Sequence, residues 1–258
     1  MINIAILIPA RLEGVRLPRK VLMDFFGFPM IEHVRRRAIM NHNNSEVYVV
    51  SGDQEVLEVV SRFQGKSIET YIDHENGTSR CAEAASKLEN THFIVAQGDE
   101  ILLHPDHVNL LIDAVIDEPK SRMLNCVARL KSNDELHDES VVKCLISMNH
   151  KILMMFRKPP NSSSKENDFE MYFKVLGLFA FEKNLLQELS QLKPTNFEQR
   201  ESIEQMRLLE NGIEITAIKV ERSYPSVNVT KDISEVLDVI ATDSDQGRIL
   251  ELITNETL

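Results

Sequence analysis

The stretch IPARLEGVRLPRK, residues 8 to 20, gathers Arg11, Arg16, Arg19 and Lys20 around a single glutamate, Glu13. Guanidinium forks and an ammonium at this density can neutralise a triphosphate through charge-assisted hydrogen bonds. No Walker A ending follows, and Gly14 is the only glycine, so side chains rather than a glycine cradle would have to do the binding. Pro9 and Pro18 restrict the backbone at both ends and limit the entropy lost when the loop closes on a ligand. A solvated basic turn is the plain alternative.

Three other segments carry chemically useful groups. In QGDE, Asp99 and Glu100 leave the end of an apolar run, where a carboxylate can meet a Mg²⁺ ion that prefers one or two carboxylates plus phosphate oxygens. In NGTSR, Gly77 allows close backbone approach and Thr78 or Ser79 can cap a helix whose amino end attracts anions. In FEQRESIEQMRLLENG, the spacing predicts one capped amphipathic helix ending at Gly212, with Glu201, Glu204 and Gln205 at neighbouring positions. Taken singly, a surface turn, a helix cap and a solvated charged face explain these three equally well. None of the eight histidines forms an i, i+4 ligand pair, and Cys81, Cys126 and Cys144 lie far apart without zinc spacing, as reduced, buried and inert thiols would.

The elements that must hold these groups follow from hydrophobic patterning. NIAILIPA, VYVVS, SIETYI and HFIVAQ read as strands, and MIEHVRRRAIM, EVLEVVSRF and SRCAEAASKL as helices between them. Alternation of this kind predicts an α/β fold, a Rossmann-like, mostly parallel sheet with helices on both faces. Ligands collect beyond the carboxyl ends of such strands, so the basic loop and QGDE should share one rim. Farther on, VVKCLISM and KILMMF flank a hairpin turn at Asn149-His150, NSSSKEND (161–168) is a polar loop, and YFKVLGLFAF and IEITAIKV are strands. A helix from about Asp232 closes the chain. With 258 residues, no repeat and no linker, the expectation is one domain with an inserted smaller β-rich sub-region.

Composition narrows the function classes. A net charge of −11 disfavours a nucleic-acid binder, which needs a broad basic footprint. No apolar run approaches the roughly 20 residues that span a bilayer, and the amino terminus lacks a signal-peptide pattern, so a cytoplasmic protein without membrane contact is expected.

Taken in order, the segments resemble the sugar-acid cytidylyltransferases, and within them the CMP-KDO synthetase (3-deoxy-manno-octulosonate cytidylyltransferase) family. The family motifs I-P-A-R-x-x-S-x-R-x-P-x-K, S-G-T-[DE]-R, Q-G-D-[EQ]-P, F-S-R-x-x-I-P, H-[IL]-G-[IVL]-Y, E-x-L-E-Q-L-R-x-L-E-x-G and V-D-[TR]-P-E-D-[IL] have counterparts here. They read IPARLEGVRLPRK, NGTSR, QGDEI, MMFRKPP, VLGLFAF, ESIEQMRLLENG and VNVTKDI, and the resemblance covers essentially the whole chain. It implies transfer of CMP from CTP to the anomeric hydroxyl of a 2-keto-3-deoxy sugar acid, KDO by default, with Mg²⁺ as cofactor and a homodimer as the assembly. It further implies that Arg11 and Lys20 hold the phosphates with support from Arg16, and that Gly77, Thr78 and Arg80 frame the cytidine. Asp99 and Asn228 take the metal positions, while Gln97, Arg157, Glu201, Glu204 and Gln205 meet the sugar acid. By the same resemblance, residues 1–130 form the CTP-binding part, 131–225 the sugar-binding and dimerisation part, and 226–258 the terminal helix.

Departures from the motifs matter as much. Asn228 stands where the family has a metal-binding aspartate, which predicts weaker cation binding unless Asp232 or Glu100 moves in. Val175 and Phe179 replace a histidine and a tyrosine, which would remove hydrogen-bond partners from a sugar-facing wall and could re-set the acceptor. In the basic loop, Gly14 replaces serine and Arg19 replaces glycine; in NGTSR, Ser79 replaces an acid. A modified KDO, another octulosonic or nonulosonic acid, or a non-catalytic nucleotide- or sugar-binding descendant are the alternatives these changes leave open.

Overall fold

A computed structural model describes residues 2–14, 16–71, 73–160 and 168–255. Strand β1 (Ile4–Pro9) is buried along its whole length and lies in the interior of the sheet. It pairs in parallel with β4 (Glu46–Ser51) on one side and with β6 (His92–Ala96) on the other, so that Ile6 stands between Val47 and Ile94. A continuous apolar run, rather than an alternating one, is what a strand covered on both faces requires. Here Ile6 and Ile8 enter one core, and Ala5 and Leu7 enter the other.

The first core lies under α1 (Met30–Ile39), α2 (Gln54–Arg62), α4 (Pro105–Asp117) and α9 (Lys231–Thr242). The second lies under α3 (Gly77–Ser86) and α6 (Lys183–Gln191). Beyond β4 the sheet ends at β5 (Lys66–Glu69). Past β6 come β10 (Phe173–Glu182), β7 (Met123–Arg129) and β11 (Thr216–Val220), giving the order β11-β7-β10-β6-β1-β4-β5. In this path only β10 runs against its neighbours. The expected mostly parallel, doubly covered sheet is the observed one.

Residues 130–156 supply the inserted β-rich part. After the short α5 (Asn133–His137), β8 (Lys143–Ile146) and β9 (Ile152–Phe156) pair antiparallel, and β8 docks on the start of β10. The anticipated turn holds His150 in the left-handed region at φ 57°. A third, smaller core of Leu130, Leu136, Phe156 and Tyr172 sits beneath this insert. The polar loop 161–168 falls, all but its last residue, outside the described residues. A two-residue ribbon, β2 (Asp24–Phe25) with β3 (Phe28–Pro29), precedes α1.

Three features depart from the sequence expectations. Helices α4, α5 and α6 and strand β7 fill intervals for which no element was anticipated, although Pro105 at the first turn and His104 as its cap mark α4 clearly. The closing helix is two helices, α9 and α10 (Ser244–Asn255), because the Asp243 carboxylate caps a fresh start by accepting from Asp245 N and Gln246 N, both at 3.0 Å. The segment read as one helix ending at Gly212 is also two: α7 (Asn196–Glu201) and α8 (Met206–Glu210). Arg157 donates to the Glu201 carbonyl at 2.7 Å and the Ser202 carbonyl at 3.2 Å, and Ser202 turns into the left-handed region at φ 53°. The left-handed backbone at Ser202 breaks the helical path, and Arg157 satisfies the carbonyls left open at the break. A buried pair re-joins the two pieces, Arg207 donating to both Glu198 oxygens at 2.8 and 2.5 Å. Gly212, at φ 72°, does end α8 as expected, with Ile213 N donating to Leu208 O at 2.9 Å.

Ser202 occupies a conformation that glycine adopts without steric cost. Ser202→Gly is therefore expected to stabilise the fold by about 0.5–1 kcal/mol, a rise of about 1–4 °C in the thermal midpoint, measurable by calorimetry.

Candidate active site

Parallel pairing of β1 with β6 sends their carboxyl ends to one rim, and the two loops that follow meet there. Ala10 N still donates to Val50 O at 2.9 Å, after which the chain leaves the sheet. Its path is fixed by Leu12 N on the Asp53 carboxylate at 2.9 Å and by Arg19 N on Leu12 O at 2.7 Å. A Cβ at Gly14 would lie 2.8 Å from the Leu17 carbonyl oxygen, so this loop path excludes the serine found in the related motif. A Cβ at Gly98 would lie 2.7 Å from Pro9 O, which is why QGDE can press against the end of β1.

The two loops are joined by charge. Lys20 Nζ donates to Asp99 Oδ2 at 2.8 Å and to Val227 O at 2.9 Å. Val227 N in turn donates to Asp99 O at 3.2 Å. Arg16 Nη2 donates to Asn228 Oδ1 at 2.9 Å. Asp232 holds the far strand of this junction by accepting from the amides of Asn228 and Val229 at 2.7 and 2.9 Å. Arg11 and Arg16 are exposed, as arms that wrap a ligand must be.

Around this junction lies a cleft of about 340 Å³. The structure brings eight of the anticipated residues to its wall: Arg11, Arg16, Lys20, Gly77, Arg80, Gln97, Asp99 and Asn228. Asn76, rather than Thr78 or Ser79, caps α3, its Oδ1 accepting from Ser79 N at 2.8 Å. Arg80 is anchored behind the wall by Thr70 Oγ1 at 2.8 Å and the Tyr71 carbonyl at 3.2 Å, and burial lowers its pKa. A cleft lined by four cations, Arg11, Arg16, Lys20 and Arg80, against the two carboxylates Glu13 and Asp99, at a helix amino end, can receive a polyphosphate and shield its charge.

Five anticipated residues stand apart from that wall. Thr78 is buried and donates to Glu204, whose carboxyl burial pushes up to about 7. The Arg157 guanidinium is spent on backbone carbonyls, those of Glu139, Ser140, Glu201 and Ser202, while Glu201 accepts from the Arg157 amide at 2.9 Å. Gln205 opens α8. Arg19 also leaves the basic cluster: it adopts φ 59° and reaches outward to Glu55 at 2.5 Å. Phe179 is a core residue, 1% exposed and edge-on to Phe181 at 5.6 Å, so that position faces the core and not the sugar-facing wall expected there. Both candidate substitute carboxylates are engaged by backbone amides. Asp232 is committed to backbone amides, and Glu100 accepts from Gly177 N at 3.1 Å, with its carboxyl pushed up to about 7 by burial and then by the nearby Asp99 charge.

Sequence reading missed Asp53, which ties the basic loop to α2, and His74, which lines the cleft with its Nε2 2.8 Å from Glu83 Oε2. The signal for His74 lay two residues before the Asn76 cap. Among the described residues no group of three His, Cys, Asp or Glu side chains is arranged to hold a metal ion. Nor is any described helix long and apolar enough to cross a membrane.

Comparison with known proteins places this geometry. A family model described as Cytidylyltransferase matches residues 5–215. The chain is 35% identical over 246 residues to the 3-deoxy-manno-octulosonate cytidylyltransferase of Escherichia coli, covering 94% of this chain and 98% of that one. It is 32% identical over 246 residues to the enzyme of the same name from Geobacter sulfurreducens, covering 92% and 98%. A solved structure of CMP:2-keto-3-deoxy-manno-octonic acid synthetase complexed with CTP superposes with a TM-score of 0.87 at 33% identity, covering 93% of this chain and 99% of that chain. A putative glucose-1-phosphate thymidylyltransferase from Bacillus anthracis, at 16% identity and a TM-score of 0.67, covering 93% of this chain and 96% of that one, shares the fold.

Two outcomes follow from the site's geometry. Lys20→Met should weaken binding of inorganic tripolyphosphate, measured by titration calorimetry, by about 10- to 100-fold, the worth of one charge-assisted hydrogen bond. Arg19→Gly, which removes an outward-facing side chain from a left-handed position, should leave that affinity unchanged. For Glu100 and Glu204 the folded state keeps a proton that the unfolded chain releases near the ordinary carboxylate value. Their contribution to stability is thus present below about pH 4.5 and lost as pH rises through about 7. Denaturant titrations should show stability falling across that window, and Glu204→Gln should flatten the fall.

Proposed function

The chain belongs to the cytidylyltransferase family, and from that premise we propose that it transfers CMP from CTP to the anomeric hydroxyl of KDO. The hydroxyl oxygen forms a new bond to the α-phosphorus, the bond from that phosphorus to the bridging oxygen breaks, and pyrophosphate and one proton are released. The observation that carries the reading is the meeting of Arg16, Lys20, Asp99 and Asn228 in one cleft, on a fold shared with the CTP complex at a TM-score of 0.87.

Each residue has a task in that reaction. Arg11, Arg16 and Lys20 bind the triphosphate and offset the charge that develops on pyrophosphate as it leaves. Gly77 and Arg80, at the amino end of α3, frame the cytidine. Gln97 orients the acceptor at the rim. Burial of the reacting groups in a preorganised cleft reduces the entropy cost of bringing two substrates together.

Mg²⁺ is part of the proposal. One carboxylate from Asp99, with the uncharged oxygen of Asn228, suits an ion that takes most of its ligands from phosphate and water. Both oxygens now accept hydrogen bonds from Lys20 and Arg16, so the same two cations that leave for the phosphates uncover the ligands. When bound, the ion supplies charge neutralisation on the phosphates.

The product is an activated sugar acid for lipopolysaccharide. A cytoplasmic location is supported by three unpaired, buried cysteines. Assembly as a homodimer is supported by the exposed Met148, Leu153 and Met171, which sit on and beside the inserted hairpin.

With CTP, Mg²⁺ and KDO, the protein should release pyrophosphate, and Asp99→Ala should lower kcat by at least about 100-fold. Pyrophosphate release with another octulosonic acid but none with KDO would re-assign the acceptor, and none with any sugar acid would overturn the reading. Asn228→Asp should lower the Mg²⁺ concentration needed for half-maximal rate, measured in the same assay.

A further inference from the structure

Strand β10 does not run evenly beside β7. Val175 faces Val127 and Phe179 faces Asn125, so four steps on one strand are matched by two on the other. The slack is a bulge at residues 176–178, and ladder pairing is interrupted there. Asn125 fills the gap. It is fully buried in a strand of apolar neighbours, and its Nδ2 donates to Leu176 O at 3.0 Å, Leu178 O at 3.3 Å and Cys126 O at 3.0 Å. Its Oδ1 is buried without a donor. A buried amide with an orphaned oxygen is a standing cost, and its NH₂ is the part that finds use.

The bulge matters because of what Gly177 then touches. Its carbonyl accepts from Gln97 N at 2.8 Å, and its amide donates to Glu100 Oε1 at 3.1 Å. A Cβ there would meet Glu100 Oε1 at 2.6 Å and the Gln97 side chain at 3.0 Å. Gly177 therefore grips both ends of the QGDE loop, with Asp99 between them. The chain of contacts runs from Asn125 to the carbonyls of Leu176 and Leu178, through Gly177, to the loop that presents Gln97 and Asp99 to the cleft.

We infer that Asn125, which does not line the cleft, is a positioning residue: its NH₂ pins the β10 bulge so that Gly177 holds Gln97 and Asp99 in register with Lys20. The consequence for catalysis rests on the function proposed above, whereas the structural coupling does not. Asn125→Leu keeps the volume and removes the donors; Asn125→Thr keeps one donor.

Hydrogen–deuterium exchange comes first, read by mass spectrometry on the whole protein. Asn125→Leu should speed exchange in the segment 96–101, where Gln97 N is protected by Gly177, while β1 and β4 keep wild-type protection. Asn125→Thr should restore most of the protection. In the pyrophosphate assay, Asn125→Leu should lower kcat by about 10- to 100-fold, the scale of a displaced reacting group, with KM for CTP unchanged. Gly177→Ala should do the same, and the double variant should lose no more than the worse single one, as two links of one chain must. Unchanged exchange at 96–101 in Asn125→Leu, or faster exchange everywhere in proportion, would overturn the inference. So would additive losses in the double variant. A wild-type protein without pyrophosphate release would defeat the functional reading alone, because the exchange result still decides the coupling.

Discussion

Lys20 and Asp99 lie 79 positions apart in the chain, and 2.8 Å separates the ammonium from the carboxylate. As a stabilising contact the pair is minor, since both side chains keep about a quarter of their exposure and such pairs are worth at most about 1 kcal/mol. Its importance is positional. It exists only because β1 and β6 are parallel neighbours whose ends share a rim, and because Gly98 lets the second loop press against Pro9. Under the function proposed above it also sets a rule of exchange: a triphosphate would draw Lys20 and Arg16 toward itself, and in doing so would uncover the oxygens of Asp99 and Asn228.

The two-layer covering of the sheet serves that rim. Side chains of β1 alternate between a core under α1 and α4 and a core under α3 and α6, so the strand end cannot shift without disturbing both. The loops it carries have little regular structure of their own and are held by single side chains: Asp53 on Leu12, Asn76 on Ser79, Asp232 on Asn228 and Val229. Rigid strands with side-chain-tethered loops are a sound arrangement for groups that must move onto a ligand.

Much of this was legible in the sequence, for definite reasons. The apolar runs of residues 4–9 and 92–96 are long enough to require cover on both faces, and the cluster Arg11, Arg16 and Lys20 follows the first of them directly. What was illegible depended on contacts distant in sequence. Nothing near Ser202 announces that its backbone will turn left-handed, with Arg157 on the two carbonyls at the break, inside a helix whose spacing is continuous. Arg19 counts as a cation in the sequence, yet its left-handed backbone turns it out to Glu55. Phe179 reads as a lost tyrosine from a motif, but the fold places the ring in the core against Phe181. Asn125 looks like a polar interruption of a strand until the slack in β10 reveals which carbonyls need its hydrogens.

The exchange rule is open to one direct test, a calorimetric titration of Mg²⁺ into the protein alone and into the protein saturated with CTP. Negligible Mg²⁺ binding to the free protein, and clear binding once CTP has drawn Lys20 from Asp99, is the predicted result. Equal Mg²⁺ affinity with and without CTP would contradict it, because Asp99 would then accept a cation while Lys20 still covers it.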